Sequence, residues 1–293
     1  MTDTIIALMG PTGSGKSNFI HKLTGSKEEK GASGLKSCTQ DIREFVANTS
    51  KGRYVFVDTP GFDDTYRSDR DILRTIAGWL EEKYKGDVKL SGVIYTHRIT
   101  DNRMSGSVCK NLDMFGRLCG DNAAKRVRLV TTMWDRVKDT NTANNRVTQL
   151  EGNFWKPLID AGARHQKFEN TRESAWDIVR GATGDSEALL LQEELVDADR
   201  RLNETTAGKA LYSQFQRLLQ EQKDTIKQLS EEAKAQQDPA LAKELEAEYK
   251  RIEAQLQKTW QEMEELKIPW LRRLMLFFAK KPRSHTIEVN VPN

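Results

Sequence analysis

The sequence predicts an α/β fold, in which a mostly parallel sheet lies between helices, followed by a C-terminal α-helical hairpin. Two observations predict this fold. As far as about residue 182, strand-like apolar runs alternate with amphipathic segments, which is the pattern of a parallel sheet covered on both faces. After Gly184 glycine nearly vanishes, and leucine, glutamate, glutamine and lysine recur at helical spacing.

The first predicted strand leads into a glycine-rich turn. The apolar run Ile5–Met9 precedes GPTGSGKS at residues 10–17, and an amphipathic stretch follows at once. This is the strand, G-x-x-x-x-G-K-[ST] and helix order of a phosphate-binding P-loop. Lys16 is predicted to reach the β- and γ-phosphates, and the Ser17 hydroxyl to bind Mg²⁺. The predicted nucleotide contacts in this element are Gly10, Pro11, Thr12, Gly13, Ser14, Gly15, Lys16, Ser17 and Asn18.

Two further segments are predicted to contact the γ-phosphate and the metal. A strand-like run from Arg53 ends in DTPGF, where Asp58 can hold the magnesium shell and the Gly61 amide can sense the γ-phosphate. Before it, residues 25–41 form a polar segment without periodicity, predicted to be a loop. Thr39 is the favoured second magnesium-binding hydroxyl, with Ser37 or a turn-capping role as alternatives. Two such loops form an order–disorder switch.

A later strand is predicted to carry the residue that reads the base. The run 126–135, RVRLVTTMWD, ends at Asp135, whose carboxylate can accept hydrogen bonds from N1–H and the 2-amino group of guanine. The alternative is that Asp135 caps the next segment. Farther on, the backbone of Ser174 and Ala175 is predicted to approach the guanine O6. Trp176 either covers the base or, as we favour, packs in the core.

Together these motifs resemble a P-loop GTPase of the septin-related branch that includes the immunity-associated (GIMAP) and Toc GTPases. The resemblance covers residues 4–180 and rests on GPTGSGKS, the Thr39 region, DTPGF, TTMWD, ESAW and the run GVIYTHRIT at residues 92–100. Fungal relatives of this group look similar around HRITDNR and TTMWD. The resemblance implies a switch that binds GTP and GDP with Mg²⁺, hydrolyses GTP slowly or on dimerisation, and forms a nucleotide-dependent homodimer across its GTPase domain.

Two departures from the usual GTPase pattern affect this interpretation. Thr132 and Met133 stand where many GTPases have Asn-Lys, although dynamin-like GTPases also place threonine at the first position. Phe62 stands where Ras-like enzymes have a water-orienting glutamine. Hydrolysis then needs an imported charge, and the resemblance implies that Arg98 is delivered across the dimer; the alternative is an Arg98 bonded to a carboxylate of its own subunit. The predicted catalytic set is Lys16, Thr39, Gly61 and Arg98, the nucleotide set also includes Thr132, Asp135, Ser174 and Ala175, and the metal set is Ser17, Thr39 and Asp58.

The remaining elements complete the predicted architecture. Ile42–Val46 is predicted to be an antiparallel edge strand, and the polar, asparagine-rich residues 139–145 a loop. Helices are predicted over Asp69–Tyr84, Val108–Leu118 and Val147–Ala161. The chain is divided into a GTPase domain (1–182), a helical hairpin extension (183–267) and a basic amphipathic tail (268–293).

The C-terminal segments carry less specific signals. The Asp238-Pro239 step interrupts the apolar stripe and is predicted to start a second helix of an antiparallel hairpin. The hairpin either folds back on the GTPase domain, which we favour, or forms an oligomerising, coiled-coil-like arm. In the tail, Arg272, Arg273 and Lys280 lie opposite a broad apolar face, which suits either an anionic membrane surface or docking on the hairpin.

The composition of the chain bears on its binding partners and on its cellular location. A net charge of +3 with 30% charged residues is too balanced to favour nucleic acid. Three cysteines without metal or disulfide spacing, and the lack of a secretory signal, predict a cytoplasmic protein. If the tail binds lipid rather than the hairpin, the protein is also attached peripherally to a membrane. Two rival functions are a septin-like, self-assembling scaffold with negligible turnover and a P-loop ATPase or kinase. The order of DTPG and Asp135 disfavours the second.

Overall fold

The computed structural model describes residues 3–25, 41–62, 67–184, 186–235, 239–269, 272, 275–276, 279 and 281–289. The described residues belong to two compact units. One is drawn from Met1–Leu202 and Lys280–Asn293, and the other from Asn203–Ala279. These two units are not the three regions predicted from sequence. The first unit continues past residue 182, the predicted end of the GTPase domain, and it also includes residues 281–289 near the C-terminal end.

The first unit is built on a six-stranded sheet in the order β2-β3-β1-β4-β5-β6. Only β2 runs antiparallel to its neighbour; all other pairs are parallel, as predicted. The carboxyl ends of the parallel strands therefore meet at one edge of the sheet. The strands are β1 (Thr4–Met9), β2 (Arg43–Thr49), β3 (Gly52–Asp58), β4 (Gly92–Arg98), β5 (Val127–Thr132) and β6 (Arg164–Lys167).

Helices flank this sheet and enclose an apolar core. They are α1 (Lys16–Thr24), α2 (Asp69–Lys85), α3 (Gly106–Cys119), α4 (Asp121–Ala124), α5 (Thr140–Gln149), α6 (Lys156–Asp160), α7 (Arg172–Ala182) and α8 (Leu190–Gln192). Completely buried side chains of the central strands and of α1 and α7, among them Leu8, Phe19 and Val179, form the core cluster. The predicted edge strand and the predicted helices over 69–84 and 108–118 are confirmed.

The predicted loop at residues 139–145 is wrong, because α5 already begins at Thr140. The Asp139 carboxylate accepts hydrogen bonds from the backbone N–H groups of Asn141 (3.0 Å) and Thr142 (3.2 Å). A capped first turn offsets the weak helix propensity of asparagine. The predicted helix 147–161 is also interrupted, by a π-helical turn at Leu150–Phe154 that precedes α6.

Residues 281–289, here called the C-terminal strap, pack on α3 and α4 of the first unit. The Val289 N–H donates to the Asp113 carboxylate at 3.0 Å, and the Asp121 N–H donates to the His285 carbonyl at 2.9 Å. The side chains of Ile287 and Val289 are buried. The last part of the predicted amphipathic tail is therefore a structural element of the first unit.

We expect Gly116→Ala to lower the free energy of unfolding by about 1–3 kcal/mol, because a new methyl group would overpack the contact with the strap. A Cβ at Gly116 in α3 would lie 2.7 Å from the Ile287 carbonyl oxygen. The matched control is Gly106→Ala in the same helix, where a Cβ meets nothing within 4 Å. The control should be neutral or stabilising, since alanine favours helix over glycine. Urea unfolding of both variants tests this, and equal stabilities would contradict it.

The second unit consists of two long helices, α9 (Thr206–Ala235) and α10 (Pro239–Glu265). The Asn203 side-chain amide, just before α9, donates to the Lys267 carbonyl, just after α10, at 3.4 Å. The helices are therefore antiparallel, as predicted, and α10 starts at Pro239; Asp238 lies outside the described residues. Arg272 makes two hydrogen bonds to the buried carboxylate of Glu204, at 2.6 and 3.0 Å. In the part of the chain that is described, no helix has the length and apolarity needed to cross a bilayer.

Candidate nucleotide-binding site

The predicted P-loop lies between β1 and α1, at the edge where the parallel strands end. Gly10 has a φ of +138°, and a Cβ there would lie 2.5 Å from the Thr96 carbonyl oxygen on β4. Gly15 caps α1 in the left-handed region, with a φ of +94°. Both positions require glycine, and the loop lies close to β4. The N-terminal end of α1 directly follows the loop, and helix N-termini are favourable sites for phosphate binding.

Lys16 is almost fully buried beneath this loop. Its Nζ donates to the carbonyl oxygens of Gly10 at 3.0 Å and Pro11 at 3.1 Å. An ammonium group held by neutral carbonyls can transfer these hydrogen bonds to phosphate oxygens, which bind it more strongly. Lys16 therefore lies within the predicted P-loop, and its contact with the β- and γ-phosphates stays a prediction.

Threonine and serine hydroxyls attach the P-loop to the sheet. The Ser14 and Thr96 hydroxyls are 2.6 Å apart, and the Thr132 hydroxyl donates to the Ser14 carbonyl at 2.8 Å. Thr132 is buried at the end of β5. Its hydroxyl fixes the P-loop, and its own contact with the nucleotide stays a prediction.

A hydroxyl and a carboxylate meet at the position predicted for the metal. The Ser17 hydroxyl donates to the Asp58 Oδ2 at 2.7 Å, and Asp58 is buried at the end of β3. Mg²⁺ prefers such oxygen ligands and usually takes one or two from the protein, with phosphates and waters completing its shell. These residues fit the ion. Thr39 and Ser37, the competing candidates for the switch hydroxyl, lie outside the described residues.

The DTPGF segment lies directly against the P-loop. The Thr12 N–H donates to the Phe62 carbonyl at 3.2 Å, and the Thr12 hydroxyl to the Gly61 carbonyl at 3.3 Å. A Cβ on Gly61 would lie 2.6 Å from the Thr12 nitrogen, so only glycine fits this contact. The Phe62 side chain is buried, and a buried phenyl ring cannot orient an attacking water.

Arg98 ends β4 beside the P-loop. Its Nε lies 2.9 Å from Oδ1 and 3.1 Å from Oδ2 of Asp101, and its Nη1 lies 3.5 Å from the position that a Cβ on Gly13 would occupy. Of the two roles considered for Arg98, the structure shows the pairing with a carboxylate of its own chain. More than a third of the Arg98 side chain remains exposed.

The neighbouring His97 adds no charge to this site at neutral pH. It is buried at the end of β4, and its ring lies edge-on to Trp155 at 6.1 Å between centroids. Burial lowers the pKa of His97 to about 4, against a smaller upward effect of the Asp101 charge. Among the described residues, the cationic groups that the structure places at the P-loop are therefore Lys16 and Arg98.

The predicted base-reading residue lies in an exposed turn after β5. The Asp135 Oδ2 accepts a hydrogen bond from the Asn170 side-chain amide at 3.4 Å, and the Asn170 Oδ1 accepts one from Asn18 at 3.0 Å. Asn170 has a φ of +59°, which asparagine tolerates better than most residues. Hydrogen bonds between side chains therefore connect α1, the loop after β6 and Asp135. Next to it, Lys167 Nζ lies 4.3 Å from the centroid of the Trp134 ring.

The predicted approach of the Ser174 and Ala175 backbone to the guanine O6 concerns the N-terminal turn of α7. Both lie in the first turn of α7, where the Ser174 N–H donates to the Thr171 hydroxyl and the Ala175 N–H to the Thr171 carbonyl. Ala175 is completely buried in the core. These bonds hold both amides in the first turn of the helix, and the contact of Ser174 and Ala175 with a base stays a prediction. Trp176 packs edge-on against Tyr54 and Phe56, at 5.1 and 5.9 Å, as favoured from sequence.

Asn170 is the residue that the sequence interpretation missed. We expect Asn170→Ala to weaken binding of guanine nucleotides about tenfold, because one polar contact that orients Asp135 is lost. Asn145→Ala is the matched control, since Asn145 is exposed in α5. Titration of GDP by calorimetry measures both variants, and equal affinities in the two would contradict a role for Asn170.

Comparisons with known proteins agree with this geometry. Residues 5–105 match the family described as 50S ribosome-binding GTPase. A dimerization-deficient mutant of Toc33 from Arabidopsis thaliana is 14% identical over 64% of this chain and 88% of that chain, with a TM-score of 0.49. A structure of the chloroplast translocon components atToc33 and psToc159, for whose GTPase activity dimerization is important, is 14% identical over 64% and 86%, with a TM-score of 0.51. A mutant of Era from Aquifex aeolicus bound to GDP and AlF4⁻ is 15% identical over 64% and 59%, with a TM-score of 0.44. The chain has the P-loop GTPase fold.

Proposed function

We propose that this protein is a GTP-binding switch that hydrolyses GTP to GDP and phosphate and requires Mg²⁺. The observation that carries the proposal is the 2.7 Å contact between Ser17 and Asp58 directly beside the buried Lys16. This arrangement suits a magnesium-bound polyphosphate. Asp135, oriented by Asn170, supplies the preference for guanine.

In this proposal each residue of the site has one task. The P-loop amides and Lys16 bind the phosphates, and Lys16 exchanges its two carbonyl partners for phosphate oxygens. Ser17 and Asp58 hold Mg²⁺, which when bound neutralises charge on the phosphates. Gly61 brings the backbone of the DTPGF segment to the loop, so that its amide can sense the γ-phosphate. Thr39 stays the predicted second hydroxyl of the switch.

The charge that assists hydrolysis is assigned to Arg98. Because Phe62 cannot orient water, catalysis depends on positioning and on positive charge near the γ-phosphate. Arg98 lies beside Gly13 and has to leave Asp101 to reach a phosphate. We propose that it does so across a nucleotide-dependent homodimer. The importance of dimerization for the GTPase activity of atToc33 and psToc159 supports this assignment.

We expect Arg98→Ala to lower GTP turnover by about a thousandfold, since an arginine that meets the transferred phosphoryl group contributes about 10³ or more in P-loop switches. Specific activity of the wild type should rise with protein concentration, and that of the variant should stay flat. The matched variant Asp101→Asn keeps Arg98 and releases it from its partner, so its turnover should be at least that of the wild type. Phosphate release is the measurement. A flat wild-type profile excludes the dimer, and unchanged turnover in Arg98→Ala excludes the catalytic role.

Mixing two inactive variants separates catalysis within one chain from catalysis across the dimer. Lys16→Ala still carries Arg98, and Arg98→Ala still carries an intact P-loop. If Arg98 acts across the dimer, the mixture should recover part of the wild-type turnover. If the mixture is no more active than its components at a GTP concentration that saturates Lys16→Ala, Arg98 acts within its own chain.

The rival functions are separated by the same assay. A septin-like scaffold would assemble with nucleotide while releasing almost no phosphate, and an ATPase or kinase would prefer ATP.

The cytoplasmic location and a membrane-binding tail at 268–293 remain proposals. Arg272, one of the three cations predicted for the polar face of the tail, is paired with Glu204. Co-sedimentation with anionic liposomes tests membrane binding by the tail. If the full chain and a chain truncated after residue 267 partition equally, the tail does not bind the membrane.

A further inference from the structure

A second cavity lies on the first unit, at the end of the sheet opposite to the nucleotide site. It is located where β5 and β6 begin, and its volume is about 770 Å³. Four of the side chains that line it are cationic, and one, Glu187, is acidic. The cationic residues are Lys125, Arg126, Arg128 and Arg164.

Arg126 has a structural task in this cavity. Its Nη1 donates to the Leu90 carbonyl at 3.0 Å, its Nη2 donates to the Glu187 carbonyl at 3.3 Å, and the Glu187 carboxylate lies 3.7 Å away. Arg126 and Glu187 therefore form a neutral pair that fixes the wall of the cavity. The other three cations have no ion pair with a described carboxylate.

Arg128 is buried, but only one of its three side-chain nitrogens donates hydrogen bonds to described residues. It is 7% exposed, and its Nη1 donates to the carbonyls of Lys125 at 3.1 Å and Val127 at 2.9 Å. Its Nε and Nη2 make no hydrogen bond to any residue that the structure describes. Burial, and next the charge of Arg164, lower the pKa of Arg128. These two nitrogens are not among the buried atoms without a partner, so they reach the cavity and can donate to water or to an anion that enters it.

The surroundings of Arg128 leave its free edge accessible. Arg128 Nε and the Gln166 Oε1 each lie 3.0 Å from the position that a Cβ on Gly181 would take, so a side chain there would fill this space. The Gln166 Oε1 is itself buried without a partner. Lys125 and Arg164 make no ion pair within the described ranges. Lys125, Arg128 and Arg164 therefore line one cavity, and none of the three forms an ion pair with a described carboxylate.

We propose that this cavity binds a phosphate ester, with Arg128 and Arg164 as the main contacts and Lys125 as a further cation. The planar fork of arginine matches two phosphate oxygens at once, and a doubly charged group compensates more of the local charge than a carboxylate does. The site is separate from the P-loop, and the inference does not depend on the function proposed for it. The phosphate can come from a soluble ligand or from a lipid headgroup.

The test uses the full chain carrying Lys16→Ala, so that the P-loop does not contribute phosphate binding. Pyrophosphate is titrated by calorimetry without Mg²⁺, and vesicles of phosphatidylcholine with or without phosphatidylinositol phosphate are tested by co-sedimentation. We expect saturable binding in at least one arm. Adding Arg164→Gln or Lys125→Gln should weaken it about tenfold each, because a charge-assisted hydrogen bond is lost. Adding Lys51→Gln, an exposed cation in the turn between β2 and β3, should leave it unchanged.

Arg128→Gln is the stronger variant, but it removes hydrogen bonds of the fold as well. Its binding is therefore interpreted together with its unfolding temperature, whereas Arg164 and Lys125 carry the main result. Binding of pyrophosphate alone identifies a soluble ligand, and binding only to the vesicles with phosphatidylinositol phosphate identifies a lipid headgroup. No saturable binding in either arm, or equal affinities for the Arg164, Lys125 and Lys51 variants, would overturn the proposal.

Discussion

Replacing Lys16 with alanine is expected to weaken GTP binding by about a hundredfold or more, because charge-assisted hydrogen bonds to phosphate contribute roughly 1.5–3 kcal/mol each. Lys16 is the buried cation of the P-loop, held by the carbonyls of Gly10 and Pro11. The substitution removes the only side-chain cation that the described structure places inside this loop. Fluorescence titration with labelled GTP in the presence of Mg²⁺ measures the loss.

The matched control for this substitution is Lys22→Ala. Lys22 lies in the last turn of the same helix, α1, and lines no part of the phosphate site. Its variant should bind GTP as the wild type does. Thermal unfolding of both variants shows whether the fold is retained. An intact Lys16→Ala protein with wild-type affinity would mean that the loop does not bind triphosphate in the proposed way.

Asp135→Asn is expected to change the preferred base, with a loss of about a hundredfold in affinity for GDP and a gain for the xanthine analogue. The Asp135 carboxylate accepts from two guanine donors, whereas an amide offers one acceptor and one donor. Xanthine carries an oxygen where guanine has its 2-amino group, and it therefore pairs with the amide. Sites that pair with such donors discriminate strongly against bases that lack them.

Asp139→Asn is the matched control for the base exchange. It makes the same chemical change four residues later, at the N-cap of α5, where asparagine also caps well. Calorimetry with the guanine and xanthine diphosphates should show wild-type preference for this control. If Asp135→Asn also keeps the preference for guanine, another group reads the base.

The phosphate end of the site could be predicted from sequence because its chemistry is local. A glycine at positions 10 and 15, a lysine and a hydroxyl have to follow one strand at fixed spacing, and Asp58 has to end the next parallel strand. Alternation of apolar strands and amphipathic helices then predicted the sheet. The structure adds the contacts that hold the loop, such as the one between Thr132 and Ser14.

The base end of the site is harder to derive from sequence because it depends on where a helix begins. Thr171 caps α7 and draws Ser174 and Ala175 into the first turn, which leaves Asn170 facing Asp135. An asparagine that follows a strand end and precedes a capping threonine was the available signal. The C-terminal strap had no local signal at all, since its partners Asp113 and Asp121 lie more than 160 positions earlier.

The basic cavity shows the same limit. Arg126 and Arg128 flank the start of one strand and are visible in the sequence as an alternating pair. Arg164 and Gly181 come from a different strand and a different helix, and only the fold brings them to the same space. Whether an arginine is paired or keeps free donors is likewise a tertiary property.

Equilibrium titration of the purified protein with fluorescent GTP and GDP in millimolar Mg²⁺ tests the central claim most directly. The claim is that the loop at residues 10–17, with Lys16, Ser17 and Asp58, binds a magnesium-chelated guanine nucleotide. We predict saturable binding of both nucleotides at one site per chain, displaced by unlabelled GTP but not by ATP. An absence of saturable binding for either nucleotide would contradict it.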